Sequence, residues 1–580
     1  MTNYSYPPPA RKSDVVDNYH GTDVPDPYRW LEDPDSDETH AWVQAHNEIT
    51  FSYLHDLPAH AKLKERLTEL WDYPRYSALM QRGGCYFSSK NDGLQNQAVL
   101  YMQAALDSEP VPVLDPNTLS EDGTAALTTQ VYSHDGKYLA YGVSQAGSDW
   151  QEIRIRDVNA SRDLTETVRW CKFTSIAWRH DNSGFFYNRL PEPGTVAEED
   201  QHNFGKVFWH ALGTDQAEDA LIYERPDAKE LNFNPSVAED ESYLVLHVWH
   251  GTDRRNRIYY RPLESDGDFV RLLDEHDARY EFLGNQGSLF FFHTDLEAPL
   301  GRIIAIDVKQ SAPDDAAPRE IVAQGQAAIH FVSIVNQQLV IGVLHHARHR
   351  LYVYTLEGDF VREIELPELG SIVELTGKPD HAEMFIAFQS FLAPTSIIRF
   401  DFNTGELSQL RAPQVPFDAA TFESRQVFYQ SKDGTRIPMF LVHKRGMQMD
   451  GENPTLLYGY GGFNISLTPM FNPSRLAFLE KGGVFAVANL RGGGEYGEEW
   501  HAAGTLERKQ NVFDDFIAAG EWLSENAVTR PEKLAIMGGS NGGLLVAACM
   551  LQRPELFGAV VCAVPVIDML RYHMFTLGRY

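Results

Sequence analysis

Apolar positions along the chain change their period twice. In residues 1–72 a polar arm that includes Pro7-Pro8-Pro9 gives way to Trp42, Ala45, Ile49 and Tyr53, spaced as one stripe of a helix, with Asp35 and Glu38 as a capping pair ahead of it. A lone amphipathic helix has no core of its own, so this arm is expected to belong to a domain completed later in the chain. From about Tyr73 to about Pro416 the pattern becomes short strands separated by polar turns. The turns are Gly83-Gly84, His134-Asp135-Gly136, Asp181-Asn182-Ser183-Gly184, Glu239-Asp240-Glu241-Ser242, Asn285-Gln286-Gly287, Asn336-Gln337 and Pro379-Asp380-His381, each followed by an aromatic or aliphatic run. They recur at roughly 45 to 60 residues, the length of a four-stranded propeller blade, and seven repeats predict seven blades. A pair of β-sandwiches would show the same strands and turns. Pro191–Phe204 and Ser311–Arg319 read as exposed loops between strands.

After about Phe417 the rhythm is apolar strand, glycine-rich turn, amphipathic helix, as in a mostly parallel α/β sheet. Strands are predicted at Thr455–Tyr458, Val484–Asn489, Leu534–Met537 and Ala559–Ala563. A helix over Asn511–Ser524 carries Phe513, Phe516, Ile517, Gly520 and Leu523 on one face. The domain reading is therefore 1–72 as the N-terminal part of an α/β domain, 73–416 as the propeller, and 417–580 as the rest of the α/β domain.

Composition narrows the function classes. The 580 residues are 43% apolar and 23% charged, with 50 Lys and Arg against 81 Asp and Glu, a formal charge of −31. Such a surface repels phosphate backbones and anionic headgroups, which argues against nucleic acid and membrane partners. Apolar runs such as Leu544–Leu551 fall far short of the roughly 20 residues of a membrane span. The N-terminus lacks a basic segment followed by an apolar one, so a cytoplasmic protein is expected. Cys85, Cys171, Cys549 and Cys562 are too scattered for a disulfide framework or a zinc site. No motif calls for a metal or an organic cofactor.

The sharpest chemical signal is Gly538-Gly539-Ser540-Asn541-Gly542-Gly543 between an apolar strand and a helix. Gly-x-Ser-x-Gly in that setting is a nucleophile elbow: the turn strains the serine, and Gly538 and Gly542 stand where a Cβ would collide with the neighbouring strand and helix. The hydroxyl of Ser540 is then exposed, and the Asn541 N–H at the helix start can donate to an oxyanion. Tyr458-Gly459-Tyr460-Gly461-Gly462-Phe463 follows another strand, where hydrolases of this fold supply the second oxyanion donor. Tyr460 serves there either as a phenol donor or as a packing anchor.

Other constellations carry less. Arg491-Gly492-Gly493-Gly494-Glu495-Tyr496-Gly497 contains Gly-x-Gly-x-x-Gly, but Asp514 and Asp515 lie inside a helix and not at the end of a second strand, which excludes a dinucleotide site. His345, His346 and His349 lack a partnering carboxylate or cysteine motif and read as a solvated turn. The acidic runs Asp33–Glu38, Glu198-Glu199-Asp200 and Glu498-Glu499 read as solvated faces.

Together these motifs resemble the prolyl oligopeptidase family of serine peptidases, which cleave short peptides after proline. The resemblance extends from Asp26-Pro27-Tyr28-Arg29-Trp30-Leu31-Glu32-Asp33-Pro34 through Gly93-Leu94-Gln95-Asn96-Gln97 to the C-terminal motifs. It implies a seven-bladed β-propeller capping an α/β-hydrolase domain. Ser540 would be the nucleophile, with the Asn541 amide and the Tyr460 hydroxyl as oxyanion donors. Phe463 and Val566 would line an apolar S1 slot, and Phe173 would face the substrate from the propeller. Positions near Asn232 and Thr252 depart from the family pattern, which leaves preferences beyond S1 open. Short proline-containing peptides are the expected partners of a monomer.

In hydrolases of this fold the acid and the histidine follow the serine in chain order. Only Asp568 and His573 follow Ser540 as candidates, directly after the next strand and too early for triad partners. The resemblance implies a further C-terminal segment carrying both. The α/β-hydrolase domain is thus read as incomplete at its C-terminus, and the chain is expected not to turn over substrate without a complementing segment. A different α/β-hydrolase, such as an acylaminoacyl peptidase or an esterase, and a non-catalytic propeller binding protein are the competing readings.

Overall fold

The computed structural model describes residues 9–197, 200–309 and 318–575. Of the stretches named above, Pro7 and Pro8, Glu198 and Glu199, and residues 311–317 lie outside the described residues. Residues up to Trp71 form one compact unit and those from Asp72 onward another. The first contains the helices α1 (Asp37–His55) and α2 (His60–Trp71). The cap of α1 is Ser36 and not Asp35: its Oγ accepts from the Thr39 N–H at 3.2 Å. Glu38 instead pairs with Arg11, with Nε and Oε1 2.7 Å apart.

The second unit begins with seven antiparallel sheets, confirming the propeller over the paired sandwiches. Blade 1 spans residues 75–114, blade 2 126–171, blade 3 176–223, blade 4 232–273, blade 5 280–322, blade 6 328–364 and blade 7 371–411. Each polar turn read from the sequence joins the first strand of a blade to the second. In blades 2 to 7 the second strands are buried on both faces, as in Tyr138–Ser144 and Glu383–Gln389, because blades stack on either side. That double burial explains the apolar runs after their turns, whereas the Cys85–Asn91 strand of blade 1 is mostly half-buried and turns polar from Ser88. The turns of blades 2, 4, 5, 6 and 7 converge on one cavity of about 550 Å³, which includes His134, Glu239, Asn285, Gln337 and Asp380.

Every blade is built from consecutive strands, so among the described residues no exchanged strand closes the ring. Side chains close it instead. Tyr86 Oη in blade 1 donates to Glu383 Oε1 in blade 7 at 2.6 Å, and the Ala78 N–H donates to Glu374 Oε2 at 2.8 Å. Phe385 and Ala387 of blade 7 pack with Ala78, Leu79 and Tyr86 of blade 1.

The α/β domain has a six-stranded sheet ordered Phe422–Gln430, Arg436–Lys444, Val484–Ala488, Thr455–Tyr458, Leu534–Gly539, Ala559–Ala563. The first two strands form a hairpin that sequence reading missed, and the last four run parallel. Helices α3 (Pro473–Glu480), α4 (Glu498–Ala502), α5 (Gln510–Glu525) and α6 (Asn541–Gln552) follow these strands. Val512, Phe516 and Leu523 of α5 enter the same core as Leu457, Ile536 and Val546. Among the described residues no helix is long and apolar enough to cross a membrane.

Alternation of strand direction puts the loops between second and third strands at the end of the propeller opposite the first turns. These loops meet the α/β domain. Arg254 forms an ion pair with Glu498, whose N–H donates to Pro299 O at 2.7 Å, and His346 Nδ1 lies 2.9 Å from the Tyr496 hydroxyl. Phe391 packs against Phe440 with ring centres 5.3 Å apart and the rings tilted by 60°.

Ring closure rests on packing that a single truncation can weaken. Phe385→Ala, at a side chain only 2% exposed, is expected to cost about 3–5 kcal/mol, against about 1 kcal/mol for Tyr86→Phe. Urea unfolding followed by tryptophan fluorescence measures both.

Candidate active site

Leu534–Gly539 ends one residue before α6, and Ser540 makes the whole reversal with φ 58° and ψ −120°. A non-glycine residue pays for that conformation only when its surroundings impose it. Here they do. A Cβ on Gly538 would lie 2.1 Å from Gly542 O, and one on Gly543 would lie 2.7 Å from the Cα of Pro565. The Ser540 N–H donates to Ala563 O at 3.0 Å, and its carbonyl accepts from the N–H groups of Gly543 and Leu544. The side chain is left exposed. Asn541 opens α6, and helix geometry gives its N–H no partner within the helix.

The Asn541 side chain, 6% exposed, reaches back to the second motif. Its Nδ2 donates to Tyr460 O at 2.6 Å, and its Oδ1 accepts from Lys509 Nζ at 3.1 Å. Lys509 also donates to Gly461 O at 2.8 Å. A Cβ on Gly462 would come within 2.5 Å of Asn541 Nδ2, so the loop lies directly against the elbow. Phe463 and Asn464 both take left-handed conformations, at φ 53° and 56°, and Phe463 stands 55% exposed. Val566 is half-buried, and its N–H donates to Ser540 O at 3.3 Å, which brings the stretch after Ala559–Ala563 against the serine.

Asp568 and His573 are exposed, and among the described residues no imidazole or carboxylate is hydrogen-bonded to Ser540 Oγ. Phe173 follows the last strand of blade 2, Asn232 begins blade 4, and Thr252 lies between the second and third strands of blade 4. Strand alternation puts all three at the propeller end that meets the α/β domain. Phe173 is 47% exposed in a left-handed conformation, with Lys172 Nζ 5.4 Å from its ring centre.

The glycine-rich stretch after Val484–Ala488 is structural. Arg491, 5% exposed, binds the fully buried Asp515 of α5 through NH2 and Oδ1 at 2.6 Å, and Asp433 through NH1 and Oδ2 at 2.5 Å. Asp515 therefore anchors an arginine. Glu495 is 1% exposed; its Oε1 accepts from the Leu467 N–H at 2.9 Å and from Asn489 Nδ2 at 3.2 Å. Its Oε2 has no partner among the described residues, and burial pushes the carboxyl up to about 7. Glu498 pairs with the propeller's Arg254, which corrects its reading as part of a solvated run.

The histidine cluster also differs from a solvated turn. His349 is 5% exposed, with its Nε2 2.9 Å from His330 Nδ1, and burial pushes it down to about 3. His346 joins the domain interface. Together with Lys509, Glu495 and Arg254, these residues gave no local signal, since their partners lie elsewhere in the sequence.

Comparison with known proteins agrees with this architecture. A family profile described as "Prolyl oligopeptidase, N-terminal beta-propeller domain" matches residues 7–413, and one described as "Prolyl oligopeptidase family" matches residues 469–580. The prolyl endopeptidase of Elizabethkingia miricola is 38% identical over 575 residues, covering 98% of this chain and 80% of that protein. A solved structure from a mechanistic study of two prolyl endopeptidases superposes with a TM-score of 0.94 at 38% identity, over 99% of this chain and 84% of the other. Prolyl oligopeptidase B of Galerina marginata, bound to a 25-residue macrocyclization substrate, gives a TM-score of 0.94 at 35% identity, over 100% of this chain and 84% of the other.

Glu495 sets a pH dependence of stability. Unfolded chains release a glutamate proton near 4.3, whereas the folded protein keeps it up to about 7. The stabilising preference for the protonated form is complete below the lower value and lost as pH rises to the upper one, by roughly 3 kcal/mol. Urea midpoints of wild type and Glu495→Gln at about pH 4 and about pH 8 are expected to differ in their pH dependence by this amount, with wild type losing more stability, relative to the variant, as pH rises.

Proposed function

The chain belongs to the prolyl oligopeptidase family of serine peptidases, and we propose that it cleaves short peptides on the carboxyl side of proline with Ser540 as nucleophile. The observation that carries the reading is the strained, exposed serine between strand and helix, beside a helix-start amide and a tyrosine loop tied to the same helix.

In this mechanism Ser540 Oγ bonds to the carbonyl carbon of the proline residue while its proton passes to an imidazole. The oxyanion accepts hydrogen bonds from the Asn541 N–H and the Tyr460 hydroxyl. The imidazolium then protonates the leaving amine as the peptide bond breaks, and water releases the acyl group by the reverse sequence. Phe463 and Val566 form apolar walls suited to the proline ring, whose nitrogen carries no hydrogen that needs a partner. Phe173 contributes from the propeller, which admits short peptides and keeps folded proteins out.

The imidazole and its carboxylate are assigned to a complementing segment, continuous with the chain or separate. Support for a docking place comes from Ala559–Ala563, which pairs on one side among the described residues and leaves Val561 47% exposed, with Val564 81% exposed beyond it. We assign the protein to the cytoplasm as a monomer; its four cysteines are free thiols, as a reducing compartment keeps them.

Peptides with proline, arginine or acyl-alanine before the scissile bond test the assignment in the full-length protein. Proline is expected to be preferred in kcat/KM by at least about 100-fold, and Ser540→Ala to lower kcat by on the order of 10⁵-fold or more. Equal cleavage of the other peptides points to a different hydrolase, and turnover that survives Ser540→Ala removes the nucleophile assignment.

A further inference from the structure

Lys509 sits immediately before α5, and burial pushes its ammonium down to about 8. Among the described residues no carboxylate pairs with it. Its hydrogen bonds go to Gly461 O and Asn541 Oδ1, one on each side of the seam between tyrosine loop and elbow. Asn541 Nδ2 completes the junction by donating to Tyr460 O. Lys509 thus ties one loop carbonyl to the side chain of the first helical residue, and that side chain holds the preceding loop carbonyl.

We propose that Lys509 is a positioning residue for the oxyanion site, fixing the Tyr460 loop and Asn541 as one rigid body. The proposal rests on the reading of Ser540 as nucleophile. Tyr460 and Asn541 come from different strand-end loops, and two donors stabilise a developing charge only if their separation is set before it appears. The Asn541 amide bridges the seam with one neutral hydrogen bond, and Lys509 adds two charge-assisted ones that stiffen the same junction. Glycine at 461 and 462 lets the loop lie this close: a Cβ on Gly461 would meet Val512 Cγ1 at 2.3 Å. A methionine would fill the space of the lysine stem and leave both acceptors unbridged.

The test compares wild type, Lys509→Met, and Lys509→Cys alkylated with 2-bromoethylamine, each in the full-length protein used for the assays above, on a chromogenic peptide with proline before the scissile bond. Alkylation restores an ammonium on a chain of nearly the same length, and alkylated wild type controls for Cys562. Lys509→Met is expected to lower kcat by about 10–100-fold with KM changed less than about twofold, because donors misplaced by a fraction of an ångström act mainly in the transition state. Aminoethylation is expected to recover most of kcat, and its difference from Lys509→Met, which fills the same space without an ammonium, isolates the hydrogen-bonding cation. Wild-type kcat in Lys509→Met, a loss confined to KM, or no recovery in a protein whose urea midpoint matches wild type overturns the proposal. Ser540→Ala, run in parallel, separates the two readings: if it abolishes turnover while Lys509→Met has no effect, only the role of Lys509 fails.

Discussion

The backbone at Ser540 is held in a left-handed conformation by neighbours that have no Cβ, and the rest of the site depends on that constraint. Gly538 lets the strand end against the helix start, and Gly543 lets the helix pass the loop at Pro565. With either filled, strand and helix could not meet at this angle, and the serine would relax into the extended or helical region. Because they do meet, Asn541 becomes the first helical residue and its amide reaches the tyrosine loop. Ser540, the helix start and the tyrosine loop therefore share a single geometric origin.

The propeller depends on a different kind of constraint. Its blades are consecutive, so its closure relies on apolar packing and a few hydrogen bonds between blades 1 and 7. Its contacts with the α/β domain also combine both kinds: Arg254 with Glu498, His346 with Tyr496 and Pro299 with the Glu498 amide are polar, and Phe391 against Phe440 is apolar. The α/β side of these contacts is the end of the stretch anchored by Arg491 and Asp515, next to the buried Glu495. A rigid, internally tied loop thus presents itself to the propeller while its other end borders the tyrosine loop, where Asn464 donates its N–H to Gly492 O at 3.1 Å. Through that bond Phe463, next to Asn464, is connected to the stretch that meets the propeller.

Much of this was legible in the sequence for local reasons. The seven turns stood out because tight reversals need Asp, Asn or Gly, and in blades 2 to 7 the strands after them are largely apolar because they are buried on both faces. The elbow was legible because strand, glycine spacing and helix are contiguous. The cap of α1 was misread by one residue, since Asp35 and Ser36 both suit an N-cap and only the backbone decides which hydroxyl or carboxylate reaches the Thr39 amide. Residues that act across long separations left no pattern: His346 and Tyr496 are 150 positions apart, and Arg254 and Glu498 are 244 apart. Lys509 carries no distinguishing pattern in the sequence, and only the packing of α5 against the tyrosine loop turns it inward.

The central claim is that Ser540, and no other hydroxyl, is the activated nucleophile of a proline-specific site. Covalent labelling of the full-length protein with a fluorophosphonate, followed by mass-spectrometric mapping, tests it most directly. The account expects one adduct, on the peptide containing Ser540, suppressed when a peptide aldehyde ending in prolinal is added first. An adduct on another serine, labelling unaffected by the prolinal peptide, or no adduct at all would contradict it.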